Sequence, residues 1–207
     1  MNNRWNKFIY RIGSTIYDRL FNAGNFLKAR KQLFSNDLLG NEQQCILFVG
    51  VGTGADLEQL DTTKYDITAI DYSEAMLNKA KDKFKHSSIQ FLIMDAQEMK
   101  FPDKQFDLVV ASLILSVVPN DEICFKEIIR VLKPGGRILI FDKFAPEGNK
   151  LPLLKRILRP VIQVLGTDIG RNFEALYKPH REILSIQEDR PLLFNGMYRK
   201  IILQKNS

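Results

Sequence analysis

The sequence predicts an α/β fold, a doubly wound parallel sheet covered by helices on both faces. Three observations predict it. Short apolar runs alternate with stretches of helical period through the middle of the chain. The first of these runs ends in a glycine-rich turn, and two strand-like runs around a turn close the chain. Strict alternation of strand and helix requires crossover connections, and these place successive strands parallel with helices on each side.

In chain order, residues 1–40 are read as N-terminal lid or membrane-facing helices, 41–144 as the core, and 145–207 as further helices and a closing hairpin, all within one domain. Cys45 to Val49 (CILFV) is the first strand. Tyr65 to Ile70, Ile89 to Ile93, Phe106 to Ala111 and Arg137 to Phe141 repeat its character. Ser73 to Phe84 has helical spacing with Ser73 as N-cap. Asn120 to Leu132 is a second helix, stopped by Lys133, Pro134, Gly135 and Gly136. Ile183 to Arg190 and Met197 to Gln204 flank the turn-prone Phe194, Asn195 and Gly196, the pattern of a hairpin at a sheet edge.

The chain has 207 residues, 45% hydrophobic and 26% charged, which suits one globular domain and excludes a disordered or fibrous chain. The longest apolar run, Leu108 to Val118, is about half the roughly 20 residues of a spanning helix, and the N-terminus MNNRWNKFIYRIG has no apolar signal core. A cytoplasmic chain is expected. Cys45 and Cys124 lack CxxC spacing and read as reduced core thiols. The net charge of +6 is unevenly distributed: residues 1–32 carry +6, residues 150–181 carry +5, and the remainder is acidic at −5. On a helical wheel Trp5, Phe8, Ile9, Ile12, Ile16 and Leu20 form one stripe, with Arg4, Lys7 and Arg11 opposite. Leu151 to Leu165 separates Leu153, Leu154, Ile157 and Val161 from Lys155, Arg156 and Arg159 in the same way. Such segments suit an anionic lipid interface, or a stripe packed on the domain as a lid. Nucleic acid fits less well, because the basic segments lack interleaved aromatics for base stacking.

The chemistry begins at VGVGTGADL. Gly50, Gly52 and Gly54, with Ala55, let backbone amides and a helix start approach a ligand, or else pack strand on helix. Asp71, 17 residues past Gly54 in the sequence, ends the second strand, where its carboxylate can accept from a ribose diol or serve the following helix N-terminus. Tyr72 follows it. Asp95, after the third strand, can accept from an adenine amine beside the apolar surface of Met94 and Ala96, or stand as a solvated loop acid. No His/Cys/Asp constellation has metal spacing, so no metal is expected.

The strings VGVGTGADL, ITAIDYSEAMLNKA, IQFLIMDAQEMKFPDKQFDLVVASLILSVVP and RVLKPGGRILIFDKF together resemble the class I S-adenosylmethionine-dependent methyltransferases, from about Cys45 to Phe144. The resemblance implies a Rossmann-like sheet of seven strands with the last antiparallel. It further implies that Gly50, Gly52 and Gly54 pass beside the methionine part of S-adenosyl-L-methionine, that Asp71 binds the ribose, that Asp95 and Ala96 frame the adenine, and that Ser112 lies near the sulfonium. The family usually has an acid two residues before its first glycine; this chain has Phe48.

A narrower resemblance uses YDRLF, GVGTG, LSVVP, KPGGRILIFDKF, LKRILRPVIQVLG and RPLLFNGMYRKIIL, and points to bacterial phosphatidylethanolamine N-methyltransferases. Quinone-ring C-methyltransferases share DAQEMKFPDKQFD and a YD-containing start. Lys143 stands where the lipid enzymes usually have histidine. By the resemblance Tyr17 covers the cofactor and is a candidate catalytic residue; His180 is the second candidate, able with Arg171 and Arg181 to bind phosphate or transfer a proton, or else a surface loop residue beside Pro179. Tyr10 and Tyr177 are candidates for cation–π contact with a methylated ammonium, or else packing tyrosines of amphipathic segments. The expected activity is methyl transfer to a membrane lipid amine at an anionic surface. A quinone-ring or small-molecule acceptor, and a non-catalytic cofactor-binding protein, are the alternatives.

Overall fold

A computed structural model describes residues 23–34, 36–40, 43–145 and 170–207. Seven strands form one sheet: β1 (Cys45–Val49), β2 (Asp66–Asp71), β3 (Gln90–Ile93), β4 (Phe106–Ser112), β5 (Leu132–Lys143), β6 (Leu184–Leu193) and β7 (Tyr198–Lys205). Their order is β3-β2-β1-β4-β5-β7-β6. The first five are parallel, β7 is antiparallel to β5, and β6 is antiparallel to β7.

Among the described residues five α-helices flank them: α1 (Gly24–Arg30), α2 (Asn36–Leu39), α3 (Glu74–Lys83), α4 (Asp121–Val131) and α5 (Phe173–Tyr177). Alternate residues of each central strand feed two cores. Leu47, Val49, Val109, Ala111, Ile138 and Ile140 pack with Phe125 and Ile128 of α4 and Phe173 and Leu176 of α5. Ile46, Phe48, Leu108, Val110, Leu139 and Phe141 pack with Ala29 of α1, Leu38 of α2 and Leu77 of α3. Both faces of the central strands are therefore apolar, which is why they read as continuous runs and not as alternating ones.

β5 is longer than Arg137 to Phe141 because the chain after α4 pairs at once, Leu132 with Phe106, before a register shift. The Pro-Gly-Gly stretch lies inside the strand. A Cβ on Gly136 would come 2.9 Å from the Lys133 carbonyl oxygen and 3.0 Å from that of Asp107, so only glycine admits this approach. Ser73 occupies the N-cap position of α3 as expected, but its side chain makes no capping bond. Asn120 does cap α4, its Oδ1 accepting from the Ile123 amide at 3.0 Å. Cys45 and Cys124 are free thiols, Cys124 buried and Cys45 half-buried beside Asp66. The stripe from Trp5 to Leu20, the segment Leu151 to Leu165, Tyr10 and Tyr17 lie outside the described residues.

Candidate active site

The carboxyl ends of β1 to β5 line one edge of the sheet, and the site residues are assembled there from the backbone outward. β1 ends in a turn whose Gly50 and Val51 amides both donate to the Ile70 carbonyl of β2, at 2.9 and 3.0 Å. Gly50, Gly52 and Gly54 all have positive φ, at 70°, 57° and 84°. A Cβ at Gly50 would lie 2.6 Å from Ile114 Cδ1, and one at Gly54 would lie 2.9 Å from Phe84 Cε2. At Gly52 the only atom within 4 Å among the described residues would be Met76 Cε, at 3.7 Å. Gly50 and Gly54 therefore serve close packing, whereas Gly52 leaves room in front of its backbone for a ligand.

Asp71 is the hinge of this edge. Its Oδ1 accepts from the Ser73 amide at 2.7 Å and its Oδ2 from the Gly52 amide at 2.9 Å. One backbone donor per oxygen fixes the carboxylate plane, and each oxygen keeps a further lone pair for a pair of neighbouring hydroxyls. Burial pushes its pKa above the ordinary value of 3.8, against the lowering effect of the Ser73 and Gly52 amides. The two sequence readings of Asp71 merge: the carboxylate supports the start of α3, leaving Ser73 Oγ buried and without a hydrogen-bond partner among the described residues. Tyr72 follows, 39% exposed.

β3 is tied to this edge by the Met94 amide, which donates to the Asp71 carbonyl at 3.1 Å. Asp95 is no freely solvated acid. Its Oδ1 accepts from the Gln97 amide at 2.9 Å and from Gln97 Nε2 at 3.1 Å, while Gln97 Oε1 accepts from the Asn120 amide at 2.9 Å. Ala96 between them is buried. The turn in which an aspartate accepts from the amide two residues on was legible in the Asp-Ala-Gln string; the brace to Asn120 was not.

Ser112 ends β4, opposite Phe141 of β5, and its Oγ is buried without a hydrogen-bond partner among the described residues. Leu113 then takes a left-handed φ of 54°, unusual for a bulky residue, and its amide donates to the Phe141 carbonyl at 2.7 Å. The loop is held from below by Asp142, a fully buried carboxylate that accepts from the Ser116 amide at 3.1 Å and the Lys143 amide at 2.8 Å. Burial raises its pKa too, opposed by Ser116 and Lys143. Asp142 thus fixes the wall in which Ser112 sits, a role sequence reading missed; the only signal was an acid closing an apolar run, ILIFD.

Phe48 is also explained. It is 2% exposed and its ring lies 6.3 Å from that of Phe34, so the position the family usually gives to an acid is here part of an apolar core. Two residues past Gly54, Asp56 forms a buried ion pair with Arg30 of α1.

His180 and Tyr177 are not brought to this edge. His180 closes a short 3-10 turn (Lys178–His180) ahead of β6, the outermost strand on its side of the sheet, with its ring 5.5 Å from Phe125 of α4. Burial and then Lys126 lower its pKa, so it is neutral at physiological pH. Arg171 does not join it in a phosphate site: it pairs with Asp121 and donates to the Val118 carbonyl at 2.9 Å and the Pro119 carbonyl at 3.2 Å. Tyr177 stacks on Phe173 at 5.8 Å and its hydroxyl donates to the Leu184 carbonyl at 2.9 Å, which makes it a packing residue and not part of a cation cage.

The comparisons with known proteins agree with this geometry. Residues 47–140 match the family described as a methyltransferase domain. The chain is 32% identical over 164 residues to a phosphatidylethanolamine N-methyltransferase of Cereibacter sphaeroides, covering 77% of this chain and 79% of that protein. It belongs to the class I S-adenosylmethionine-dependent methyltransferases. A ubiquinone/menaquinone biosynthesis C-methyltransferase of Desulfotalea psychrophila is 32% identical over 139 residues, 67% of this chain and 56% of that protein. A demethylmenaquinone methyltransferase of Lactococcus lactis is 29% identical over 194 residues, 88% of this chain and 75% of that protein. Among solved structures, a putative methyltransferase of Bacillus halodurans shares the fold with a TM-score of 0.71 at 16% identity, covering 89% of this chain and all of that one.

Membership implies S-adenosyl-L-methionine as the cofactor, and the edge suits it in kind. A pre-oriented carboxylate with spare lone pairs, a glycine backbone that no described side chain covers closely, and a buried serine hydroxyl without a hydrogen-bond partner among the described residues suit a ribosyl sulfonium with an amino-acid tail.

Proposed function

We propose that this methyltransferase transfers a methyl group to the amine of a membrane-associated lipid such as phosphatidylethanolamine, at the cytoplasmic face of the membrane. The observation that carries this reading is the 32% identity to the phosphatidylethanolamine enzyme, which extends over 77% of this chain and 79% of that one. The segregation of positive charge into residues 1–32 and 150–181 supports it, because those segments suit an anionic surface better than nucleic acid.

When bound, S-adenosyl-L-methionine supplies an already activated methyl group, so the protein needs no nucleophile of its own. In this reading Asp71 holds the ribose diol through its two oxygens, Gly52 passes beside the methionine part, and Tyr72, Asp95 and Ala96 frame the adenine. Ser112, at the end of β4, lies near the sulfonium. Positioning of the acceptor and exclusion of water contribute most of the rate, several kcal/mol by the usual effect of proximity. Tyr17 is assigned by resemblance as the wall over the cofactor. His180, packed on Phe125, is given no catalytic part.

Quinone-ring methylation is the second reading, favoured by the alignment to the Lactococcus lactis enzyme over 88% of this chain. Incubation of the enzyme with methyl-labelled cofactor and a total membrane extract, followed by chromatographic separation, decides between them. Label in phospholipid is expected. Label confined to quinone-type or small phenolic products would defeat the lipid reading.

A further inference from the structure

The turn between β6 and β7 breaks two local rules at one residue. Phe194, Asn195 and Gly196 all have positive φ, at 51°, 54° and 87°, a conformation that asparagine and glycine adopt cheaply and phenylalanine does not. Hairpin tips are also normally polar, yet Phe194 is 58% exposed, while its neighbours Leu192, Leu193 and Met197 turn partly inward onto the core. Neither local backbone preference nor solvation favours phenylalanine here, which is the signature of a residue kept for a contact outside the fold.

The turn's position says what that contact is. Tyr198, at the start of β7, pairs with Lys143 at the carboxyl end of β5, so the tip projects from the same sheet edge as Asp71 and Ser112. Phe194 rests on Phe26 of α1, with ring centroids 6.0 Å apart, and on Tyr198 at 5.8 Å. Past Phe26, the same helix and its end carry the exposed Lys28 and Lys31, and the sequence holds no acid between Asp18 and Asp37. Arg190 of β6 locks the two elements together, donating to the Gln32 carbonyl at 3.1 Å and to Gln32 Oε1 at 3.2 Å. The neighbouring acids on β6 are already neutralised, Glu188 by Arg190 and Lys200 and Asp189 by Arg199.

We propose that the Phe194 turn and the exposed lysines of α1 form one docking surface for an anionic bilayer, with Phe194 inserted into the lipid and Lys28 and Lys31 against the headgroups. Docked this way, the edge that carries the methyl-transfer site faces the membrane. The proposal rests on the lipid reading above and deepens it.

Sedimentation with vesicles of phosphatidylethanolamine and phosphatidylglycerol, against phosphatidylcholine vesicles, tests it. The wild type should sediment with the anionic vesicles and be released by salt. Phe194→Asn suits the left-handed turn, so it folds, and it should lower partitioning by about tenfold or more while circular dichroism matches the wild type. Lys28→Glu with Lys31→Glu should lower partitioning and flatten its salt dependence. Partitioning unchanged in Phe194→Asn, or a wild type that ignores vesicles, would overturn the docking surface. A separate arm keeps the two ideas apart: methyl transfer to short-chain, monomerically dissolved phosphatidylethanolamine should be unchanged in Phe194→Asn. No transfer to that lipid by the wild type would defeat the lipid reading, whereas the vesicle result would still decide the surface.

Discussion

Replacing Asp71 by alanine is the sharpest perturbation of the cofactor edge. The carboxylate accepts the Ser73 and Gly52 amides at 2.7 and 2.9 Å, and its remaining lone pairs are assigned to the two ribose hydroxyls. A hydrogen bond to a charged group contributes about 1.5–3 kcal/mol, so losing both ribose bonds costs about 3–6 kcal/mol, or roughly two to four decades in Kd. Asp71→Asn keeps one carbonyl oxygen but turns an NH2 group toward a backbone donor, and should fall between alanine and the wild type. The assay is calorimetric titration with S-adenosylhomocysteine, with circular dichroism to establish that each variant is folded. Acidification should act in the same direction. Because burial raises the Asp71 pKa, the carboxylate protonates at higher pH than its ordinary value of 3.8 would give, and affinity should decline as pH falls through that raised value. Unchanged affinity in Asp71→Ala would refute the ribose assignment and the reasoning built on the two backbone bonds.

Three further outcomes follow from the packing. Phe48→Asp puts an unpaired carboxylate against Phe34 in a position 2% exposed, and should destabilise the fold by about 3–5 kcal/mol in urea without improving cofactor affinity; a variant as stable as the wild type would show that this position still accommodates an acid. Arg30→Met leaves the Asp56 carboxylate buried without this partner, and a loss of about 3–5 kcal/mol is expected from denaturant midpoints. Lys104 is exposed with a φ of 58°, so Lys104→Gly should raise stability by roughly 0.5–1 kcal/mol; a lowered melting temperature would contradict the strain argument.

Much of the fold was legible because its central strands are buried on both faces, so β1 and the helix boundaries at Ser73 and Asn120 stand out as apolar runs and caps. The seven-stranded sheet with its antiparallel end follows the expected pattern. What escaped the sequence depends on side chains meeting across large separations. Ser73 reads as a capping serine, yet Asp71 takes its backbone amide and leaves the hydroxyl idle. Asp142 reads as a strand-end acid, and only the folded sheet brings Ser116 onto it, 26 residues away in the chain. His180 attracts attention by its chemistry, but the order of strands carries it to the far flank of the sheet. Arg30 looks like one basic residue among seven in the first 32, and nothing local marks it as the partner of Asp56. Phe194 reads as an ordinary turn neighbour until its left-handed backbone and exposure are known together.

The most direct measurement uses the purified enzyme with S-adenosyl-L-methionine and phosphatidylethanolamine as the sole acceptor, following methylated headgroup by mass spectrometry and S-adenosylhomocysteine in parallel. One S-adenosylhomocysteine should appear for each methyl group gained by the headgroup. S-adenosylhomocysteine formed only when a quinol replaces the phospholipid, or no methylated lipid at all, would contradict the account.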